Sequence, residues 1–313
     1  MPSEFSDLIA RMRGGDARAA EELFRKYEPV IRMEVRRQMR DPRLRRAFDS
    51  MDVCQSVLGS FFVRASLGQY DLNDAALDDA LASRVVARKL EASLATMRAD
   101  VVVIATPVDA SVDVLRVLAR SESRATLITD VGSTKGRIVA EADALGLSDR
   151  FVGSHPMAGD HRSGWSAARQ GLFSEARVYL CAPDRTPAEL VARADSFWRA
   201  LEAHPMRIDA SAHDRTLAWT SHLPHVVSAA LAIALGDAGV GRDELGPGGR
   251  DITRLAGSSP EMWSAIAAEN ATAIDAALAA AEREVASFRR LLSRADAGEL
   301  HSKFAAARAW FDA

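Results

Sequence analysis

The residues best suited to chemistry lie in the stretch that opens at Asp130. It reads D-V-G-S-T-K-G from Asp130 to Gly136 and, further on, G-S-H-P-M-A-G from Gly153 to Gly159. His155 sits inside the second motif. Imidazole is the side chain whose ordinary pKa lies near neutrality, so it can trade protons at working pH. Ser133 stands in the first motif at the start of an expected helix, where a hydroxyl would also serve as an N-cap. Each motif follows a short apolar run, Leu127-Ile128 and Phe151-Val152. Such runs, ending in Gly, Ser, Thr and Lys, predict buried strands whose C-terminal ends open into loops. Ligands of open α/β sheets bind at those ends.

The elements that must hold these loops follow from the same reading. Strands are expected over 100–108, 126–131, 150–154, 177–182 and 206–208. Helices are expected over 77–97, 112–120, 132–145, 163–170 and 187–203. Strands alternating with helices argue for a parallel sheet. From Ser211 the pattern is wholly helical, over 211–235, 251–256, 260–293 and 299–311. Ala229, Ala232 and Ile233, and Ala276, Ala277 and Ala280, form small-residue faces suited to close helix packing.

At 313 residues, 48% apolar and 27% charged, the chain has the composition of a globular protein with more than one domain. A net charge of −3 gives no overall pull toward nucleic acid or membrane. The two cysteines, Cys54 and Cys181, are far apart and lack metal-ligand spacing, so neither a disulfide framework nor a metal site is implied. The N-terminus lacks an apolar signal region, and the longest apolar runs, 101–108 and 225–235, fall short of the ~18–20 residues of a bilayer span. The expectation is a cytoplasmic protein with no membrane partner.

From about Asp71 onward the chain resembles the prephenate dehydrogenase family. The resemblance rests on A-D-V-V-V-I-A-T-P-V (99–108), the two motifs above, S-H-L-P-H (221–225), R-D-I-T-R-L-A (250–256) and S-S-P-E-M-W (258–263), all in family order. It implies an α/β domain with a Rossmann-type parallel sheet, followed by an all-α substrate and dimerisation domain. The implied reaction is NAD- or NADP-dependent oxidative decarboxylation of prephenate, or of arogenate, in tyrosine biosynthesis. By the same resemblance His155 is the catalytic proton acceptor, and Ser133 orients it near the nicotinamide. Arg254 binds a substrate carboxylate, for which a guanidinium fork is apt. Arg250, His225 and Ser221 contact substrate, and Asp251 holds their loop. Thr106, Pro107, Asp130 and Gly132 fall on the cofactor side. His222 is expected to pack or cap, and Trp263 either covers the pocket or belongs to the core. The family also implies a homodimer through the C-terminal helices.

The first seventy residues do not follow that pattern. They are helical in periodicity, with nine Lys/Arg between Arg25 and Arg46. L-I-A-R-M-R-G-G-D-A-R-A-A-E-E-L-F-R-K-Y and D-S-M-D-V-C-Q-S-V-L-G-S-F-F resemble region 2 of an extracytoplasmic-function sigma factor, which implies contact with RNA polymerase and promoter DNA. The expected divisions are therefore 1–72, a helical sigma-like segment; 73–209, a nucleotide-binding domain lacking its first β-α-β; and 210–313, the helical domain.

No G-x-G-x-x-G occurs anywhere in the chain. That loop lets the backbone approach a pyrophosphate at a helix N-terminus. Asp71 stands where the ribose-binding acid would follow it. The chain thus reads as a splice in which the glycine loop is missing, and weak cofactor binding is expected. The alternatives are a polymerase-binding module at the N-terminus and a non-functional chimaera with an exposed sheet edge.

Overall fold

A computed structural model describes residues 99–121, 123, 125–159 and 171–313. The expected helices over 77–97 and 163–170, Asp71 and the sigma-like segment lie outside these residues. The chain divides into two units: residues up to His213 together with Ser259–Glu269, and Asp214–Ser258 together with Asn270–Ala313. Residues 259–269 thus group with the first unit rather than with the helical domain expected over 210–313.

In the first unit, runs rich in β-branched residues make the first two strands. β1 (Val101–Ile104) and β2 (Leu127–Asp130) are buried throughout and pair in parallel, with Val101 opposite Leu127 and Ile104 opposite Asp130. Phe151 bridges Ile128 in parallel and leads into β3 (Gly153–Pro156). β3 then pairs antiparallel with β4 (Arg177–Cys181), which runs parallel to β5 (His204–Arg207). The parallel sheet expected from strand–helix alternation holds for β1, β2 and Phe151, while the β3–β4 pairing reverses direction.

Strand alternation sends successive side chains to opposite faces. Val102, Ile104 and Ile128 pack with α1 (Val108–Arg120) and α2 (Gly136–Ala144) through Val114, Leu115, Leu118, Ile138 and Ala142. Val101, Val103 and Leu127 pack on the other face with α3 (Ala188–Ala200) through Leu190, Ala194, Phe197 and Trp198. Fully burying each such aliphatic side chain contributes about 1.5–3 kcal/mol, so the two cores fix the sheet between helical layers. A later helix of this unit, Pro260–Glu269, packs on α1.

Several boundaries differ from expectation. β1 ends at Ile104, because Pro107 takes the N-cap position of α1 with φ −49° and ψ 151°, a conformation suited to a helix start. Val108 belongs to that helix. α2 begins at Gly136, with Lys135 at its N-cap position and no side-chain cap bond, so Ser133 is not the helix cap.

The second unit is helical. α4 (Ala210–Leu217) spans the boundary, passes through a π-helical turn at Ala218–His222 and continues as α5 (Leu223–Asp237). Pro224 explains the turn: without an N–H it cannot make the regular backbone bond one turn back. By length and composition alone, Ala210–Asp237 is apolar enough to cross a bilayer. There follow α6 (Pro247–Ile252), a 3₁₀ turn at Arg254–Gly257, α7 (the Pro260–Glu269 helix of the first unit), α8 (Ala271–Ser293) and α9 (Ala297–Phe311). The single helix expected over 260–293 is broken at Asn270, whose buried amide donates to the Asp214 carbonyl (2.8 Å) and bonds His222 Nδ1 (3.0 Å). An amide committed to such side bonds favours a break over a helix interior. α8 and α9 meet through Phe288 and Phe304, with ring centroids 5.2 Å apart.

Candidate active site

In the first unit the site is built on the ends of β2 and β3. Asp130, the last residue of β2, is 1% exposed and pairs with the fully buried ammonium of Lys135. Its carboxylate also accepts from the Gly132 N–H at 2.8 Å and the Ser154 N–H at 3.2 Å. A buried carboxylate is tolerated when it is paired and hydrogen-bonded in this way. These bonds fold residues 131–135 back over the strand end and delay the helix to Gly136. Gly132 is required there, since a Cβ would meet Asp130 Oδ2 at 2.9 Å and Val108 Cγ1 at 3.1 Å. The loop carries Ser133, half-buried, and its Asp130 end is tied to Ser154, the residue before His155.

His155 lies on β3, directly across from Tyr179 of β4. The strand is locked by its neighbour Ser154, whose hydroxyl bonds Thr129 Oγ1 (2.7 Å) and accepts from Trp198 Nε1 (2.8 Å). His155 is 8% exposed, and its Nδ1 lies 2.8 Å from Nε2 of His213, which is wholly buried. The two rings meet edge to face at 5.0 Å and 65°. Tyr179 packs on His213 at 5.3 Å and 80°. His213 of α4 thus packs against the imidazole, and Tyr179 of β4 packs in turn against His213. At the end of β1, Thr106 is buried with its hydroxyl 2.9 Å from that of Ser111, and Pro107 starts α1.

In the second unit, Ser221 and His222 belong to the π-helical turn and His225 to the first turn of α5. Single π turns inside longer helices are frequent at functional sites. His225 is half-buried; burial pushes its imidazole below the ordinary value, and the nearby Arg254 guanidinium adds to that against a bond to the Leu255 backbone. A neutral His225 beside a cation suits an anionic ligand group that Arg254 would bind. Arg254 is 62% exposed and stands 3.8 Å from the exposed Asp251 carboxylate. Arg250 donates to the Asp243 carbonyl at 2.8 Å. His222 is buried against Asn270, the packing role expected of it.

The structure therefore gathers Thr106, Pro107, Asp130, Gly132, Ser133 and His155 in one unit, and Ser221, His225, Arg250, Asp251 and Arg254 in the other. Trp263 is half-buried on α7 of the first unit. Three participants were not singled out from sequence: Lys135, His213 and Tyr179. Lys135 was visible only as part of its motif. His213 shares a buried face with Leu217, one helical turn on, a spacing that signals a core position and nothing more specific. Among the described residues, no group of His, Cys, Asp or Glu could hold a metal ion.

Two family models match the chain in tandem: a prephenate dehydrogenase nucleotide-binding domain over residues 62–207, and a prephenate dehydrogenase dimerization domain over 209–306. Among curated relatives, the prephenate dehydrogenase of Bacillus subtilis is 37% identical over 218 residues, 67% of this chain and 58% of the relative. That of Lactococcus lactis is 32% identical over 193 residues, 59% of this chain and 52% of the relative. The chain thus spans little more than half the length of these relatives. A crystal structure of Aquifex aeolicus prephenate dehydrogenase with hydroxyphenyl propionate and NAD+ superposes with a TM-score of 0.70 at 26% identity, covering 76% of this chain and 85% of that one. Synechocystis arogenate dehydrogenase gives a TM-score of 0.64 at 28% identity, covering 76% and 87%. With both domain models matched in order and the fold shared, the chain belongs to the prephenate dehydrogenase family.

Proposed function

We infer that this protein is an oxidoreductase that converts prephenate to 4-hydroxyphenylpyruvate and carbon dioxide with NAD or NADP. The observation that carries the reading is His155: a nearly buried imidazole at a strand end, held by a second imidazole and set beside the Asp130–Lys135 loop. Relatives named for prephenate, cyclohexadienyl and arogenate substrates support the class and leave arogenate as the variant substrate.

The described residues fit the nicotinamide end of a dinucleotide. Thr106 and Pro107 follow β1 and lead into α1, and Gly132 packs so closely on Asp130 and Val108 that no side chain fits in the loop over β2. When bound, NAD(P) supplies the hydride acceptor. His155 takes the proton of the substrate 4-hydroxyl as the hydride departs from the carbon bearing it. Carbon dioxide then leaves as the ring becomes aromatic. Ser133 orients the hydroxyl and the imidazole, and Asp130 acts through the loop it folds. Arg254 binds a substrate carboxylate, with Arg250, His225 and Ser221 as further contacts. Without G-x-G-x-x-G to cradle the pyrophosphate, cofactor affinity should be low, which the titration reads.

Prephenate-dependent reduction of NAD and NADP, run beside titration of each cofactor, tests the reading. NAD(P)H should form at high cofactor concentration only when prephenate or arogenate is present. Reduction independent of both substrates would overturn it.

The unit is read as a homodimer through its helices. Ile233, Val285 and Leu292, each more than 60% exposed, are apolar groups for a second copy to cover. For residues 1–70 the sigma-like wording supports a separate reading, docking on RNA polymerase. Retention by polymerase core at low salt is its test, and no retention removes it.

A further inference from the structure

We propose that His213 is a positioning residue: it accepts a hydrogen bond from His155 Nδ1–H and so leaves His155 Nε2 unprotonated, in the state that can receive the substrate proton. The proposal rests on the reading of His155 as the acceptor.

A bond between two neutral imidazoles holds a single N–H, so one facing nitrogen donates and the other accepts. The two nitrogens in question are His155 Nδ1 and His213 Nε2, 2.8 Å apart. If His213 donated, His155 Nδ1 would be the acceptor and its own proton would sit on Nε2. An imidazole in that state offers the substrate hydroxyl a donor and cannot take its proton. If His155 donates, Nε2 carries a lone pair, and the same bond persists after Nε2 is protonated. Only the second arrangement is unchanged across a catalytic cycle.

The surroundings fix the two rings in place. His213 is wholly buried, and its ring lies edge-on to both His155 and Tyr179, so its Nε2 cannot swing away without breaking two ring contacts. Backbone pairing of β3 with β4 holds His155 opposite Tyr179. The logic is that of a hydrolase triad, in which a third group sets the tautomer of the catalytic imidazole. Here the third group is a second imidazole, carried on a helix.

The test reads the tautomer directly in the full chain and needs neither cofactor nor turnover, so an inactive chain does not disable it. Two-bond ¹H–¹⁵N correlation of ¹⁵N-histidine-labelled protein separates pyrrole-like from pyridine-like ring nitrogens. His155→Asn assigns the signals. In the unsubstituted protein His155 should show a protonated Nδ1 and a bare Nε2. His213→Gln, whose amide oxygen can accept the same bond, should keep that pattern. His213→Phe should lose it in favour of Nε2–H. A protonated Nε2 on His155 in the unsubstituted protein would overturn the proposal without recourse to any His213 variant. So would a His213→Phe protein that keeps the Nδ1–H signal.

Discussion

The two units hold their functional residues in opposite ways. In the first, Asp130, Lys135, Ser154, His155 and His213 are all at least nine-tenths buried, and each is tied to another strand, loop or helix. In the second, Arg254 and Asp251 are 62% and 84% exposed and pair loosely across a turn. A proton acceptor must be fixed in tautomer and direction, which a buried network supplies. A group that captures an anion must meet solvent first, and a guanidinium on a short surface turn does so. The contrast bears on cost: substitutions that break the buried network of the first unit should lower stability, while those in the second should leave it nearly untouched and change mainly binding.

Lys135→Met probes the extreme. It strands Asp130 as an uncompensated buried charge and should cost about 3–5 kcal/mol in urea unfolding. The double change Asp130→Asn with Lys135→Met should recover part of that loss. A single substitution costing under about 1 kcal/mol would break the comparison. Gly132→Ala comes next: its new methyl meets Asp130 Oδ2 at 2.9 Å, and overpacking of this kind costs about 1–3 kcal/mol.

His225 gives a smaller, pH-dependent effect. Its folded pKa lies below the ordinary 6.5, so below that pH the unfolded chain binds the extra proton first. The stability it contributes is fully present above about pH 6.5 and is lost as pH falls toward the lowered value. His225→Gln should flatten that part of the stability–pH curve; an unchanged curve would contradict the assignment. Arg254→Ala should shift stability by no more than about 0.5 kcal/mol, while weakening binding of a dicarboxylate substrate.

Much of this division was legible in the chain. Val101–Ile104 and Leu127–Asp130 stand out as β-branched or apolar runs ending in loop residues, and the helical half follows from Ala-rich periodicity. The motifs around His155 and Arg254 carried the family. What escaped was long-range or ran against composition. A wholly buried lysine is rare, so Lys135 reads as a surface charge until Asp130 is seen beneath it. Ser133 has the chemistry of a cap, but the Asp130 carboxylate captures the loop first and moves the helix start. The break at Asn270 is hidden inside an unbroken helical pattern, because its cause is Asp214 and His222, far away in sequence. His213 is separated from His155 by 58 residues and gives no local sign of the bond.

The most direct test replaces residues 1–70 with a strand–G-x-G-x-x-G–helix segment and measures turnover of prephenate with NAD and NADP, with and without His155→Asn. Prephenate-dependent NAD(P)H should form, and the substitution should reduce its rate about 10²–10⁴-fold. A folded protein with no turnover, or one whose rate survives the loss of the imidazole, would contradict this reading.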